Sequence, residues 1–267
     1  MKKTDILTPA GFVLGAVLIG YGIASGGPFS IFIDIPSIFI CVGGSLSALL
    51  ITYTMGEMKE MFGSLGNAFK ENSASQKDIV TQFSTLSQRA RREGLLSLEE
   101  EINNIDDEFL KKGMQMVVDG IEPETIKEIL ELEIDESENR GMNTAAMYTT
   151  WGGYAPGFGM IGTLIGLVQM MQNLNDIQSI AVGMGTALLT TFYGSFLANY
   201  FCNPIGANLK RQCAIESSVR TMMLEGILAI QSGVNPRIVE EKLLTYLPKK
   251  DRLDYINSNS ENAEGVA

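Results

Sequence analysis

The sequence predicts an all-α integral membrane protein. Four transmembrane helices are expected, with a helical cytoplasmic domain between spans two and three and a helical C-terminal cytoplasmic segment. Three observations carry this. Four uncharged stretches run over about 6–26, 35–56, 148–173 and 177–206. A helix rises about 1.5 Å per residue and a hydrocarbon core is about 30 Å thick, so about 20 residues suffice to cross. Within these stretches there is no Asp, Glu, Lys, Arg or His. Finally, all 20 Lys and Arg lie in the N-terminal tip, between Lys59 and Arg140, or from Lys210 onward. The positive-inside rule then places both termini and the long middle segment in the cytoplasm, as an even span number requires.

Each element has a local cause. Spans one and two join through "SGGPFSIFIDIPS", where Gly26, Gly27, Pro28 and Pro36 break the helix. Residues 57–147 form the cytoplasmic domain, with 10 basic and 20 acidic residues. Within it Ser97 and Glu100 have the spacing of a capping box. Pro123 stands at a first helical position, followed by Ile126, Ile129, Leu130 and Ile134 at core-facing spacing. After span four an amphipathic helix extends to about Gln231, in a cytoplasmic tail over 207–253. Asn235 caps a short helix that Pro236 starts and Pro248 ends. The polar residues 254–267 are expected to be disordered. No A-x-A-like cleavage site follows the first apolar stretch.

Composition excludes several functions. The net charge of −11 argues against nucleic acid. With no His, and with Cys41, Cys202 and Cys213 far apart, neither a zinc site nor a disulfide framework is visible. No catalytic triad or phosphate loop is present, so no enzyme activity and no cofactor or metal are expected.

The spans themselves are informative. A protein that passes ions through lipid keeps an ionisable side chain on the route. These spans have none, so either no ion is conducted or a partner supplies the carboxylate. Thr186, Thr190, Gly194, Ala198 and Cys202 recur every fourth residue, as do Ala187, Thr191, Ser195 and Asn199. Gly159 with Thr163, and Gly162 with Gly166, repeat the spacing in span three. Such faces serve close helix packing, within the chain or against a partner helix. Thr163 and Thr191 are expected to line a polar crevice. Pro204 is either helix punctuation at the membrane surface or, with Pro156 at the same depth, part of a joint between membrane and cytoplasmic movement.

Four stretches in this order carry a resemblance: "SQRARREGLLSLEEEI", "YAPGFGMIGTLIGLVQMM", "GMGTALLTTFYGSFLANYFCNPI" and "GVNPRIVEEKLLTYL". Over about residues 1–250 the chain resembles the MotA family of flagellar motor stator subunits, whose sodium-driven relatives are called PomA. The resemblance implies a homo-oligomer of five copies around two MotB subunits in the bacterial inner membrane. MotB would supply the ion-binding aspartate and a peptidoglycan anchor, and the translocated ion would be H+ or Na+. It implies that Thr163 and Thr191 lie near the partner aspartate and that Pro156 and Pro204 couple ion flow to movement. It also implies that Arg91 and Glu99, with Arg92 beside them, meet the rotor protein FliG. Surface charges are otherwise ordinarily just solvated. ExbB and TolQ proteins, which energise the cell envelope, resemble spans three and four as an alternative. Their usual three spans, with the N-terminus outside, disagree with the basic-residue count. A structural scaffold without ion movement is the third possibility. Asp34, just before span two, is either an aid to ions arriving from outside or an idle interfacial acid.

Overall fold

The computed structural model describes residues 7–66, 68, 76–172 and 174–264, with side chains as far as residue 257. Among the described residues every regular element is helical. In chain order these are α1 (Leu7–Gly26), α2 (Ile35–Thr52), α3 (Met55–Ser64), α4 (Gln76–Glu93), α5 (Glu99–Ile102) and α6 (Glu108–Val118). Then follow α7 (Pro123–Gln172), α8 (Ile177–Gln231), α9 (Pro236–Leu244) and α10 (Lys249–Glu264). Among the described residues four helices, α1, α2, α7 and α8, are long and apolar enough to cross a membrane. The chain divides into two compact units: residues 3–71 with 140–212, and residues 72–139 with 213–267. Both α7 and α8 contribute to each.

The first unit holds the apolar spans. Helix α1 buries none of its residues against the chain, so its apolar side chains face outward, as a lipid-facing helix requires. It docks at a notch where a Cβ on Gly15 would lie 2.5 Å from the Tyr200 ring, and the Tyr200 hydroxyl donates to the Phe12 carbonyl. Helix α2 is capped by Asp34, whose carboxylate accepts from the Ser37 amide at 3.1 Å. Its residues Phe39–Gly43 form a wider π-turn. It stops at Thr52, four residues before the expected end, because Tyr53 is extended and Thr54 caps α3. Helix α3 begins with a full capping box. The Glu57 amide donates to the Thr54 hydroxyl, and the Thr54 amide donates to the Glu57 carboxylate at 2.8 Å. Those contacts, the Thr54 backbone N–H before its hydroxyl, hold the Glu57 carboxyl below its ordinary pKa. Helix α3 buries Met58 and Met61 in a core with Leu49, Tyr148, Trp151, Cys202 and Ile205. Two buried polar groups there are satisfied: Tyr148 donates to the Met61 carbonyl at 2.7 Å, and the Trp151 indole to the Ser45 hydroxyl at 3.0 Å.

The second unit is built on a separate core. Phe83 and Leu86 of α4, Leu110 and Met114 of α6, Ile126 and Leu130 of α7, Met222 and Ile227 of α8, and Val239 and Leu243 of α9 are all buried in it. Fully burying each such side chain contributes about 1.5–3 kcal/mol before conformational entropy is deducted. Pro123 begins α7 as its sequence context predicts, and Ile126, Leu130 and Ile134 are buried, while Ile129 lies at the edge, 37% exposed. Asn235 caps α9, accepting from the Arg237 amide at 3.1 Å, and Pro236 is its first residue.

One local expectation is corrected. Ser97 does not cap a helix: its hydroxyl donates to the Gly94 carbonyl at 2.7 Å, within a 3-10 turn over Leu95–Leu98. The following helix α5 takes Leu98 as its N-cap, without a side-chain bond. The turn follows Gly94 at φ 86°, a conformation that favours glycine and re-aims the chain. Among the described residues the tail is helical over Lys249–Glu264. No Gly or Pro interrupts those residues, and Tyr255 is buried against the second unit's core.

Candidate functional site

Spans three and four approach each other backbone to backbone. The cause is glycine at every crossing point. A Cβ on Gly159 would lie 3.0 Å from the Thr190 carbonyl, on Gly194 2.6 Å from the Ala155 carbonyl, and on Gly166 2.6 Å from the Gly183 carbonyl. A Cβ on Gly162 would lie 2.5 Å from the Thr190 Cβ. Real Cβ atoms essentially never come under 3.0 Å, so three of these four contacts require glycine.

The two small-residue stripes of span four therefore part company. Thr190, Gly194, Ala198 and Cys202 are buried within the chain, whereas Thr191, Ser195 and Asn199 are exposed. Thr163 and Thr191 meet at the boundary, their hydroxyl oxygens 2.6 Å apart. Thr163 also lies 3.0 Å from the Gly159 carbonyl and 3.1 Å from the Ala187 carbonyl, and Thr191 lies 3.2 Å from the Ala187 carbonyl. Two hydroxyl protons and two carbonyls thus form a compact neutral oxygen cluster. It can offer ligands to a cation, or a hydrogen bond to a carboxyl group, but it holds no proton that titrates near neutral pH.

Pro156 lies inside α7, and its missing N–H deprives the Gly152 carbonyl of its usual donor. A Cβ on Gly152 would lie 3.2 Å from the Cys202 Cβ and 3.1 Å from the Asn203 side-chain carbon, and Asn203 precedes Pro204. The proline-loosened turns of the two spans are thus neighbours. Immediately before Pro204 the helix widens into a π-turn over Leu197–Cys202, which relieves the clash a proline ring makes with the carbonyl four residues back. The sequence offered no period change that signals either π-turn.

In the second unit, Arg91, Arg92, Glu99 and Glu100 are exposed, and among the described residues none of them has an ion-pair partner. Arg89, which sequence reasoning missed, is different. It pairs with Glu101 and, at 3.1 Å, with Glu93, which raises the guanidinium pKa, Glu101 contributing most. It thereby staples the two sides of the turn that carries Arg91, Arg92 and Glu99. In the first unit, Asp34 is a capping and locking residue. Its amide donates to the Tyr193 hydroxyl at 3.1 Å, and Tyr193 donates to the Phe32 carbonyl. Among the described residues no cluster of acidic, Cys or His side chains could hold a metal ion.

The sequence model of the MotA/TolQ/ExbB proton channel family matches residues 101–222, and that of the motility protein A N-terminal region matches residues 10–94. Motility protein A of Borreliella burgdorferi is 43% identical over 91% of this chain and 93% of its own length. The chain belongs to the motility protein A family. Chemotaxis protein PomA of Vibrio alginolyticus is 35% identical, over 93% of this chain and 97% of its own length. The structure of the flagellar MotAB stator complex from Bacillus subtilis contains a chain that superposes with a TM-score of 0.86 at 35% identity, over 93% of this chain and 98% of that one. The chain is accordingly a multi-pass membrane protein and a flagellar motor stator subunit, a channel or motor component. The match to the motility-specific N-terminal region, together with four apolar spans, favours the motor over the ExbB/TolQ-like alternative.

Proposed function

We propose that this stator subunit encloses the membrane helix of a MotB partner and that proton or sodium flow along that interface turns it against the rotor. One observation carries the proposal: the spans contain no Asp, Glu, Lys, Arg or His, yet present a hydroxyl cluster at an exposed edge. Such a wall accommodates a carboxylate brought by a second polypeptide and cannot replace it. The partner's aspartate binds and releases the ion beside Thr163 and Thr191. Its charge changes with each ion, and with it the fit against spans three and four. Five copies around two MotB subunits step around the anchored partner. The turns at Pro156 and Pro204 flex as the ring steps. Arg91, Glu99 and Arg92 engage FliG; unpaired exposed charges of both signs suit a contact that must form and release repeatedly, because rim charges set encounter rate and specificity more than affinity. Both termini lie in the cytoplasm. The driving force is about 2.3 kcal/mol per charge per 100 mV.

The test is ion flux in liposomes. The complex with MotB is expected to conduct and the chain alone to be tight; a selective cation current through the chain alone overturns the proposal.

A further inference from the structure

The Thr163–Thr191 cluster is aimed by the residue next to it. Thr190 is fully buried, and its hydroxyl donates back to its own helix, 2.9 Å from the Thr186 carbonyl and 3.1 Å from that of Ala187. Three neighbours clasp it. Its Cβ fills the notch left by Gly162, and its carbonyl closes on Gly159, both on span three. From span two, the Cys41 thiol donates to the same carbonyl at 3.0 Å. Cys41 is itself fully buried and is the middle residue of the π-turn Phe39–Gly43. A π-turn inserts one residue into the helix and so rotates the side chains beyond it, the usual way such a turn re-aims a group at a functional site. Consecutive residues of an α-helix point about 100° apart. A clasp on Thr190 therefore fixes the direction of Thr191, which is exposed at the rim.

We propose that Thr190 and Cys41 are positioning residues of the ion path: by gripping span four from spans two and three, they set its rotation and hold the Thr191 hydroxyl toward the partner's carboxylate, an inference that rests on the assignment of Thr163 and Thr191 to that path. Cys41 serves as a hydrogen-bond donor, not as a redox or metal-binding group. Its task is separable from packing. A residue that only packs lowers the amount of assembled complex. One that aims the hydroxyl also changes how the motor responds to its ion.

The experiment measures the speed contributed by single stator units, taken from stepwise increments in tethered-cell rotation, against external pH and against external sodium. Counting single units removes differences in assembly. The variants are Cys41→Ala, Cys41→Ser, Thr190→Ser and Thr191→Val in the intact motor. Cys41→Ala is expected to raise the ion activity giving half-maximal speed about fivefold, the factor that one ordinary net hydrogen bond represents. Cys41→Ser keeps a donor and is expected to restore the response to within about twofold. Thr190→Ser empties part of the Gly162 notch and is expected to shift it about two- to threefold, and it decides the matter if Cys41→Ala fails to assemble. Unchanged ion dependence in Cys41→Ala or, failing its assembly, in Thr190→Ser, with a clear shift in Thr191→Val, overturns the clasp alone. Unchanged ion dependence in Thr191→Val overturns the ion-path assignment, and the clasp with it.

Discussion

Substituting Gly194 by Ala puts a methyl group where spans three and four have no space. The added Cβ would lie 2.6 Å from the Ala155 carbonyl and 3.2 Å from the Gly159 Cα, whereas ordinary contacts begin at 3.4 Å. Relief of the first contact requires the backbones to part by the difference, about 0.8 Å. A radial gap of about 0.5–1 Å forfeits a quarter to a half of each dispersion well along the interface. Overpacking of this kind costs about 1–3 kcal/mol. The same displacement, carried to the Thr163–Thr191 pair, would stretch its 2.6 Å separation to about 3.4 Å, beyond an O–H···O hydrogen bond. Two readouts follow from one methyl group. The Tm of the detergent-purified complex should fall by several degrees, and swimming rings in soft agar should shrink or vanish. Gly63→Ala is the control: a Cβ there meets nothing within 4 Å, inside α3, and should be neutral or stabilise by about 0.5–1 kcal/mol. A Gly194→Ala stator with wild-type Tm and wild-type rings would refute the close-crossing account.

Further outcomes concern the rest of the fold. Leu130→Ala removes a fully buried side chain from the second unit's core and should destabilise that unit by about 2–5 kcal/mol, read as a lower midpoint in denaturant monitored by far-UV circular dichroism. Glu57 gives a pH dependence of known sign. Its folded pKa lies below its unfolded value because the Thr54 N–H and hydroxyl favour the carboxylate. The α3 cap is therefore fully formed above the ordinary carboxylate pKa of about 4.3 and is lost as pH falls through the lowered folded value. A carbon-13 NMR titration of the Glu57 carboxyl should show a midpoint below the ordinary glutamate value of about 4.3, and a midpoint above that value would remove the capping box.

Much of this architecture is legible in the sequence because its causes are local. Uninterrupted apolar runs define the spans, Pro123 opens α7, and Asn235 with Pro236 opens α9, each by a rule that needs only neighbouring residues. Spacing alone finds the small stripes of span four. It does not say which stripe is buried, since Thr190 and Thr191 differ only in what surrounds them in space. The Ser97–Glu100 spacing misleads for a related reason. Leu98 is fully buried, and Gly94 turns the chain at positive φ, so the packing of the turn overrides the cap. Arg89 and Cys41 escape notice because each acts across distance: Arg89 reaches Glu101 beyond the turn, and Cys41 reaches Thr190 on another span. In the polar tail, Tyr255 is buried against the second unit's core within a helix, a contact that composition does not show.

Trp151 is the only tryptophan in the chain. Its indole is almost wholly enclosed, bonded to Ser45 and edge-on to Phe62 and Phe201, with ring centroids 6.3 and 6.4 Å away. The subunit consequently carries its own optical probe at the meeting of α2, α3, α7 and α8. Any slippage among those helices must alter the emission wavelength or quenching of a lone fluorophore, so the stroke of the stator can be followed without attaching a dye.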